Sequence, residues 1–288
     1  MRDANALIIL RRTAFVPEGT GAVELPPEAV QALMRWAQDH GLGQVEMKRA
    51  HQGSDFVPQM RKIVHDVARR RERALTQLRS QGKHVARVLL TPEWRIAVGL
   101  GEKNNAHEIG LTLHGTYGWP VIPGSGLKGV TAAHVYSRDE ITTENRKRIR
   151  EIFGSPRPQE QSKQNSESAD QETDRAARGS VRFLDALATD GQVKVTVDVL
   201  TPHVKPYYDS TLTHREGEKP HPPAEHHQPV PVHFLTVSGG TFTADLVGDS
   251  EEDIAYAASC LQEAVEEQGV GAKTSAGYGY MTTRRGEM

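Results

Sequence analysis

Two loops that combine glycine with lysine lie far apart in the chain. The first glycine loop, residues 122–129, reads Ile-Pro-Gly-Ser-Gly-Leu-Lys-Gly, and the second glycine loop, residues 269–279, reads Gly-Val-Gly-Ala-Lys-Thr-Ser-Ala-Gly-Tyr-Gly. Glycine lets the backbone approach another chain closely, and a lysine beside exposed backbone N–H groups suits an anion. Two such loops in one fold indicate a surface that follows a phosphate backbone.

Nucleotide binding is the nearest alternative for the second glycine loop. A Walker A loop needs G-x-x-x-x-G-K-[ST]; Lys273 and Thr274 supply its end, but Glu267 and Ala272 stand where the two glycines belong. A strand, not the required helix, is predicted to follow. Either loop alone is best interpreted as a tight turn with a solvated lysine, whereas the pair, with hydroxyl donors in both, favours phosphate contact.

Two predicted helices position these loops. Leu127, Val130 and Ala133 recur at helical spacing after the first loop, with Ser125 as the predicted N-cap. That loop would then lie at a helix N-terminus, where unpaired N–H groups and the helix dipole favour anions. The other helix begins after Ser250 and ends at Gly269, directly before the second loop.

Strand patterns fill most of the remaining sequence beyond residue 85. They cover 88–90 with 95–100 (a strand pair or one long, bent strand), 180–186, 193–199, a hairpin of 233–237 and 241–246, and 278–282. With the polar segments 156–179 and 202–231 set aside as insertions, the order is β-α-β-β-α-β. The predicted fold class is therefore α+β and ferredoxin-like, in residues 85–288, an architecture shared with a common RNA-binding fold.

Residues 1–84 are predicted to form a basic helical extension, with helices after Pro26 and over about 58–80. Between residues 61 and 79 there are seven basic side chains and two acidic ones. Such a run is usually a solvated helix face, and contact with phosphate is the alternative. Arg71 interrupts the apolar stripe of this helix, which argues against its full burial.

Overall composition narrows the class of protein. The net charge of −2 argues against a uniformly basic nucleic-acid binder, although local patches can still bind phosphate. Cys260 is the single cysteine among 288 residues, which excludes an intrachain disulfide framework and points to a reducing cytoplasm. No stretch is long and apolar enough to span a bilayer, so no membrane partner is expected.

Histidines raise two catalytic alternatives. Six of them lie between residues 203 and 233, but they stand among prolines without cysteine partners, so a solvated loop is favoured over a metal site, and neither a metal nor another cofactor is predicted. A histidine can also act as the acid or base in RNA cleavage. His134 and His203 are the candidates, and His134 falls close to an apolar stripe, which favours a buried structural role.

The segment after the strand at 193–199 could bind nucleic acid directly. It holds His203, Lys205, Tyr207 and Tyr208 within a few residues of one another. Tyrosine rings stack on bases and lysine pairs with phosphate. A proline-rich loop whose tyrosines pack against the domain explains the same residues equally well.

Four segments resemble a known family. They are Trp-Arg-Ile-Ala-Val-Gly-Leu-Gly at 94–101, the first glycine loop, Asp-Val-Leu-Thr-Pro-His at 198–203 with the tyrosine pair, and Gly-Ala-Lys-Thr-Ser-Ala-Gly-Tyr-Gly at 271–279. These residues resemble the RAMP proteins of CRISPR systems, and look most like the sixth-subunit family of type III-B (Cmr) RNA-guided effector complexes. The resemblance covers roughly residues 85–288.

This resemblance implies a non-catalytic subunit that binds CRISPR RNA near the 3′ end of the guide, beside complementary target RNA and other RAMP subunits. The guide is expected to cross one face of the sheet and to be recognised through its backbone and shape. The implied RNA-binding residues are Gly124, Ser125, Gly126, Lys128, Gly129, His203, Lys205, Tyr207, Tyr208, Gly271, Lys273, Thr274, Ser275, Gly277, Tyr278 and Gly279.

Two other functions stay open at this point. One is a RAMP endoribonuclease that processes precursor CRISPR RNA with His134 or His203 in acid–base work. The other is a scaffold that contacts only protein. The polar insertions at 156–179 and 202–231 suit contacts with neighbouring subunits or RNA in any of these cases.

Overall fold

A computed structural model describes residues 56–100, 110–116, 118–138, 143–154, 177–188, 193–201 and 231–287, with the isolated positions 207, 222 and 229. Its helices are α1 (Phe56–Ser80), α2 (Gly124–Arg138), α3 (Thr143–Phe153) and α4 (Glu251–Glu267), with a 3₁₀ turn at Thr274–Ala276. Its strands are β1 (His84–Pro92), β2 (Arg95–Ile96), β3 (Val121–Ile122), β4 (Arg182–Phe183), β5 (Ala186–Ala188), β6 (Lys194–Leu200), β7 (Val232–Ser238), β8 (Phe242–Gly248) and β9 (Met281–Arg285).

The described strands form two sheets. The larger sheet has the order β3-β5-β8-β1-β9, with β4 also paired to β8, and the smaller sheet has the order β2-β7-β6. Each of these pairings is antiparallel. This mixture of helices and antiparallel strands confirms the predicted α+β class. None of the helices in the described ranges is long and apolar enough to cross a membrane.

Helix α4 forms where its sequence predicts. The Ser250 side chain accepts a hydrogen bond from the Asp253 N–H, and Gly269 adopts a φ of +72° just beyond the last turn. Its apolar stripe, including Leu261 and Val265, is fully buried against the larger sheet. The local sequence alone is therefore enough to begin, orient and end this helix.

The principal core lies between one face of the larger sheet and helices α2, α3 and α4. Val88 and Leu90 of β1 and Phe242 and Leu246 of β8 point into it, since alternate residues of a strand share a face. Leu127 of α2 joins the same cluster. Leu127 thus attaches the first glycine loop to the core.

The opposite face of the larger sheet is covered by α1. Val64 and Val67 of α1 pack with Leu187 of β5 in a second buried cluster. Beside that cluster, the fully buried Asp245 of β8 forms ion pairs with two arginines. Arg71 Nε lies 2.6 Å from its Oδ2, and Arg87 Nε lies 2.7 Å from its Oδ1. Arg71 therefore interrupts the apolar stripe because it pairs with a carboxylate inside the fold, and it does not form part of a solvated basic face.

This packing bears on two expectations from the sequence. Both faces of the larger sheet are covered around Asp245, so RNA crossing that part of the sheet would have to displace α1. The boundary predicted between residues 84 and 85 falls just after the first residue of β1, and α1, on the other side of that boundary, packs on the sheet. The helix predicted after Pro26 lies outside the described residues.

Two predicted strand pairings were wrong. Strands β7 and β8 follow one another through Gly239 and Gly240, both with positive φ, but they lie in different sheets and do not form the predicted hairpin. Strands β1 and β2, expected to be a strand pair or one long, bent strand, are two strands in different sheets. The turn at Gly239 and Gly240 was recognisable from local sequence, whereas the partner of each strand is set by the tertiary fold.

Replacing Arg71 by methionine is expected to lower the free energy of unfolding by about 3 kcal/mol, because it removes one partner of a buried ion pair. Arg69→Met is the matched control: Arg69 lies on the same helix, is exposed and pairs with Asp66, so its loss should stay below about 1 kcal/mol. Chemical denaturation measures both. Equal losses would contradict the role assigned to the buried pair.

Candidate nucleic-acid interface

The first glycine loop begins with a glycine that the interior requires. A Cβ on Gly124 would lie 2.2 Å from the Phe183 carbonyl oxygen, so a larger residue cannot fit. The Gly124 N–H donates to Asp185 Oδ1 at 2.8 Å. Asp185 thus occupies the N-terminal anion position that the sequence suggested for a ligand, and Ser125 is the second residue of α2, so the predicted N-cap was wrong.

The exposed side of the first turns of α2 is almost bare of side chains. Ser125, Gly126 and Gly129 are exposed, and a Cβ on either glycine would meet nothing within 4 Å. The backbone there can therefore be approached closely by another molecule. This is the part of the first loop that is available to a ligand.

A like-charged pair borders this bare surface. Partial burial and, to a lesser extent, the Arg178 guanidinium lower the pKa of the Lys128 ammonium. Within the described ranges, neither Lys128 nor Arg178 has a carboxylate within ion-pair distance. Two neighbouring cations repel each other, and an anion placed between them would remove that cost.

The second glycine loop is fastened to the backbone around β2. A Cβ on Gly271, which has a φ of +103°, would lie 2.5 Å from the Ala97 carbonyl oxygen. The same oxygen accepts a hydrogen bond from the Ala272 N–H at 2.7 Å, and the Gly279 N–H donates to the Arg95 oxygen at 2.8 Å. Glycine is needed here because two backbone segments are in direct contact.

Lys273 stands out from this loop in a left-handed conformation, with φ 62° and ψ 30°. That conformation is uncommon for any residue except glycine. It is held by hydrogen bonds to the Lys273 carbonyl from the N–H groups of Ala276 (2.9 Å) and Tyr278 (3.3 Å). The exposed ammonium lies 5.0 Å from the centre of the Phe234 ring, so the loop presents a cation in a fixed position.

A half-buried polar cluster surrounds the buried Tyr278 of the same loop. The Tyr278 hydroxyl donates to Asp198 Oδ2 at 2.7 Å, and Arg95 forms an ion pair with the same oxygen. Burial, followed by the hydrogen bond to Asp198, raises the pKa of Tyr278 to about 12. Burial opposes ionisation of Asp198, but the hydrogen bonds from Tyr278, the Val199 N–H and Arg95 outweigh it and lower the pKa of the carboxyl.

The two glycine loops are connected by a continuous row of backbone hydrogen bonds. Ala272 N–H donates to Ala97, the Thr112 N–H to Val98 at 2.9 Å, and the Val121 N–H to Thr112 at 3.3 Å. Three steps of neighbouring strands correspond to roughly 15 Å. Val121 begins β3, which leads directly into the first loop, so this row of hydrogen bonds spans the backbone between the two loops.

The other predicted contact residues differ in accessibility. Gly124, Tyr278 and Gly279 are buried and act in internal packing, whereas the other predicted contact residues of the two glycine loops are at least partly exposed. Tyr207 is partly buried, and His203, Lys205 and Tyr208 lie outside the described residues. Their contact with RNA stays a prediction.

Two residues of this surface were not singled out from the sequence. Arg178 falls inside a segment interpreted as a polar insertion, and it lies beside Lys128 because of the tertiary fold. Trp94 entered only through the family resemblance, yet its ring is 51% exposed beside the second glycine loop. An exposed tryptophan is the kind of signal that sequence alone does not give.

The family model of the RAMP superfamily matches residues 88–282, which include both glycine loops and α4. The chain belongs to the RAMP superfamily. The match begins within β1 and ends within β9, so it covers the larger sheet and its helices without α1.

Within that superfamily the chain is similar to the CRISPR system Cmr subunit Cmr6 of Pyrococcus furiosus, with 31% identity over 225 residues, 64% of this chain and 64% of the relative. It thus spans less than two thirds of that relative's length. This similarity confirms the predicted resemblance to the sixth-subunit family.

Two solved structures are also similar. A chain of the cryo-EM structure of the Type III-B Cmr-beta bound to cognate target RNA aligns with a TM-score of 0.54 and 21% identity, over 76% of this chain and 66% of that chain. This is a likeness of fold. The crystal structure of Cmr6 from Pyrococcus furiosus has 26% identity over 70% of this chain and 98% of that chain, with a TM-score of 0.40, too low to compare the folds.

The hydrogen bond between Tyr278 and Asp198 makes the free energy of unfolding fall as the pH rises above 10. Tyr278 holds its proton in the folded protein up to a pKa of about 12, while an unfolded tyrosine ionises near pH 10. The stabilisation is therefore complete below pH 10 and is lost as the pH rises toward 12. Free energies of unfolding measured from pH 8 to 11.5 should fall less steeply for Tyr278→Phe than for the wild type.

The matched control for this measurement is Tyr136→Phe on the exposed surface of α2. It is expected to keep the wild-type slope. A Tyr278→Phe protein with the wild-type pH dependence would show that the buried hydroxyl does not couple folding to ionisation.

Proposed function

We propose that this chain is a non-catalytic RNA-binding subunit of a type III-B CRISPR effector complex in antiviral defence. It holds the CRISPR RNA near the 3′ end of the guide, next to complementary target RNA and other RAMP subunits, in the cytoplasm. Membership of the RAMP superfamily and the similarity to Cmr6 support this assignment. The observation that supports it most directly is the row of backbone hydrogen bonds that links the two cationic glycine loops.

We also propose that the larger sheet with α2 and α4 is a ferredoxin-like RAMP domain. Four of its strands, β5-β8-β1-β9, lie in the order second, third, first, fourth of a β-α-β-β-α-β unit. In that unit α2 connects the first and second strands, and α4 connects the third and fourth. The second glycine loop is then the connection that leads into the last strand.

Recognition in this proposal is of the sugar-phosphate backbone. Lys128 lies between the bare glycines of α2, the Arg178 guanidinium is close enough to lower the pKa of the Lys128 ammonium, and Lys273 projects from the second loop at a fixed position. Backbone contacts position a strand without reading its sequence, which suits a guide whose sequence varies. Because α1 covers the sheet around Asp245, the strand is expected to follow the loops and not the middle of the sheet.

Removal of the two lysine side chains should weaken RNA binding. For Lys128→Ala with Lys273→Ala, the full chain is expected to bind labelled single-stranded RNA more weakly, and the slope of log K against log salt should shrink by about 0.7 for each phosphate that the protein no longer neutralises. Fluorescence anisotropy at several salt concentrations measures both quantities. Affinity and slope equal to those of the wild type would favour a scaffold that contacts only protein.

A matched double variant controls for net charge. Lys83 directly precedes β1 and pairs with Asp249, and Lys147 is exposed on α3. Lys83→Ala with Lys147→Ala removes the same total charge from other surfaces. It should leave the salt slope close to that of the wild type.

Non-catalytic binding predicts that labelled CRISPR repeat RNA stays intact when incubated with the full chain. His134, one histidine considered for cleavage, is 2% exposed and lies between α2 and α4, 3.5 Å from Glu263 and 3.8 Å from Glu267. A group so buried cannot approach a 2′-hydroxyl without rearrangement. Cleavage that disappears in His134→Ala or His203→Ala would replace the proposal with an endoribonuclease.

A further inference from the structure

Trp94 is a large apolar side chain that the fold leaves exposed. It follows β1 and precedes β2, and its ring is 51% exposed. The neighbouring backbone is fixed, because the Glu93 N–H donates to the Tyr280 carbonyl at 3.0 Å. The ring therefore stands on a rigid turn at the edge of the second glycine loop.

Two neighbouring side chains hold the Trp94 ring in place. Its centre lies 4.9 Å from that of Tyr278, with a tilt of 38°, and 5.1 Å from the Arg95 guanidinium carbon. Arg95 and Tyr278 are held in turn by a shared oxygen of Asp198. A ring supported in this way loses little conformational entropy when another group stacks on it.

A cation lies next in the same row of rings. The Tyr278 ring is 5.6 Å from that of Phe234, and Lys273 Nζ is 5.0 Å from the Phe234 ring centre. Two buried rings therefore join the exposed Trp94 ring to the exposed Lys273 ammonium. Proteins bind single-stranded nucleic acid with bases on aromatic rings and phosphates on cations along the strand. An apolar protein partner would cover the ring but would leave the Lys273 ammonium without an anion.

We infer that an unpaired base of the RNA stacks on Trp94 while a phosphate of the same strand contacts Lys273. This inference rests on the proposed function and adds a base contact to a surface otherwise assigned to the backbone. Every base has an aromatic face, so stacking here is independent of sequence. Trp94 thus positions the strand without selecting it.

The test compares two kinds of RNA. With ordinary single-stranded RNA and the full chain, Trp94→Ala should lower the affinity about tenfold, and Trp94→Phe, which keeps a ring, should lower it less. With an abasic RNA of the same length, wild type and Trp94→Ala should bind equally. Tyr136→Ala is the control, since Tyr136 is also an exposed aromatic residue, on α2, and should leave both affinities unchanged.

The other outcomes of this experiment would contradict either the stacking inference or the proposed RNA-binding function. Unchanged binding of ordinary RNA by Trp94→Ala, while Lys128→Ala with Lys273→Ala weakens it, removes the stacking inference alone. An equal loss on ordinary and abasic RNA also removes it, because the effect would not involve a base. Failure of the wild type to bind RNA removes the proposed function as well. If Trp94→Ala abolishes co-purification with neighbouring subunits and keeps RNA affinity, Trp94 is a protein contact.

Discussion

Direct contact between backbone segments, with no room for a Cβ, is the constraint on which the arrangement of this surface depends. A Cβ on Gly271 would approach the Ala97 oxygen to 2.5 Å, one on Gly124 the Phe183 oxygen to 2.2 Å, and one on Gly110 the Gly99 oxygen to 1.7 Å. Much of the glycine in the two loops is therefore required by the protein's own packing. The benefit to function is indirect: the loops are rigid, and Lys273 projects from a backbone that cannot relax.

The two faces of the larger sheet are held to their helices by different kinds of interaction. Helices α2, α3 and α4 cover one face with an almost purely apolar core, while α1 covers the other with a small apolar cluster and the ion pairs of Asp245. Buried ion pairs contribute more to specificity of docking than to stability in some proteins. Such a pair would fix where α1 sits along the sheet, and it leaves the ends of the strands, where the glycine loops lie, as the accessible part of the domain.

How far the sequence predicted this structure depended on the range of each interaction. Helix α4 was predicted in full because Ser250, its apolar stripe and Gly269 act within a few residues of one another. The turn at Gly239 was also predicted, but its strands pair elsewhere, since no local signal says which sheet a strand joins. Ser125 was misassigned because the group that satisfies the helix N-terminus is Asp185, 61 residues away from Gly124. Arg178 and Trp94 gained their significance only when the fold placed them beside Lys128 and Tyr278.

Short covalent connections tie the two sheets together at several points. The chain passes from the larger to the smaller sheet between Pro92 and Arg95, and back through Gly239 and Gly240. The second glycine loop adds a non-covalent link, because its residues bond to Ala97 and Arg95 before the chain enters β9. Links this short hold the two described layers as one body. A force that rotates one layer would therefore rotate both, and the distance between the two cationic loops would be kept.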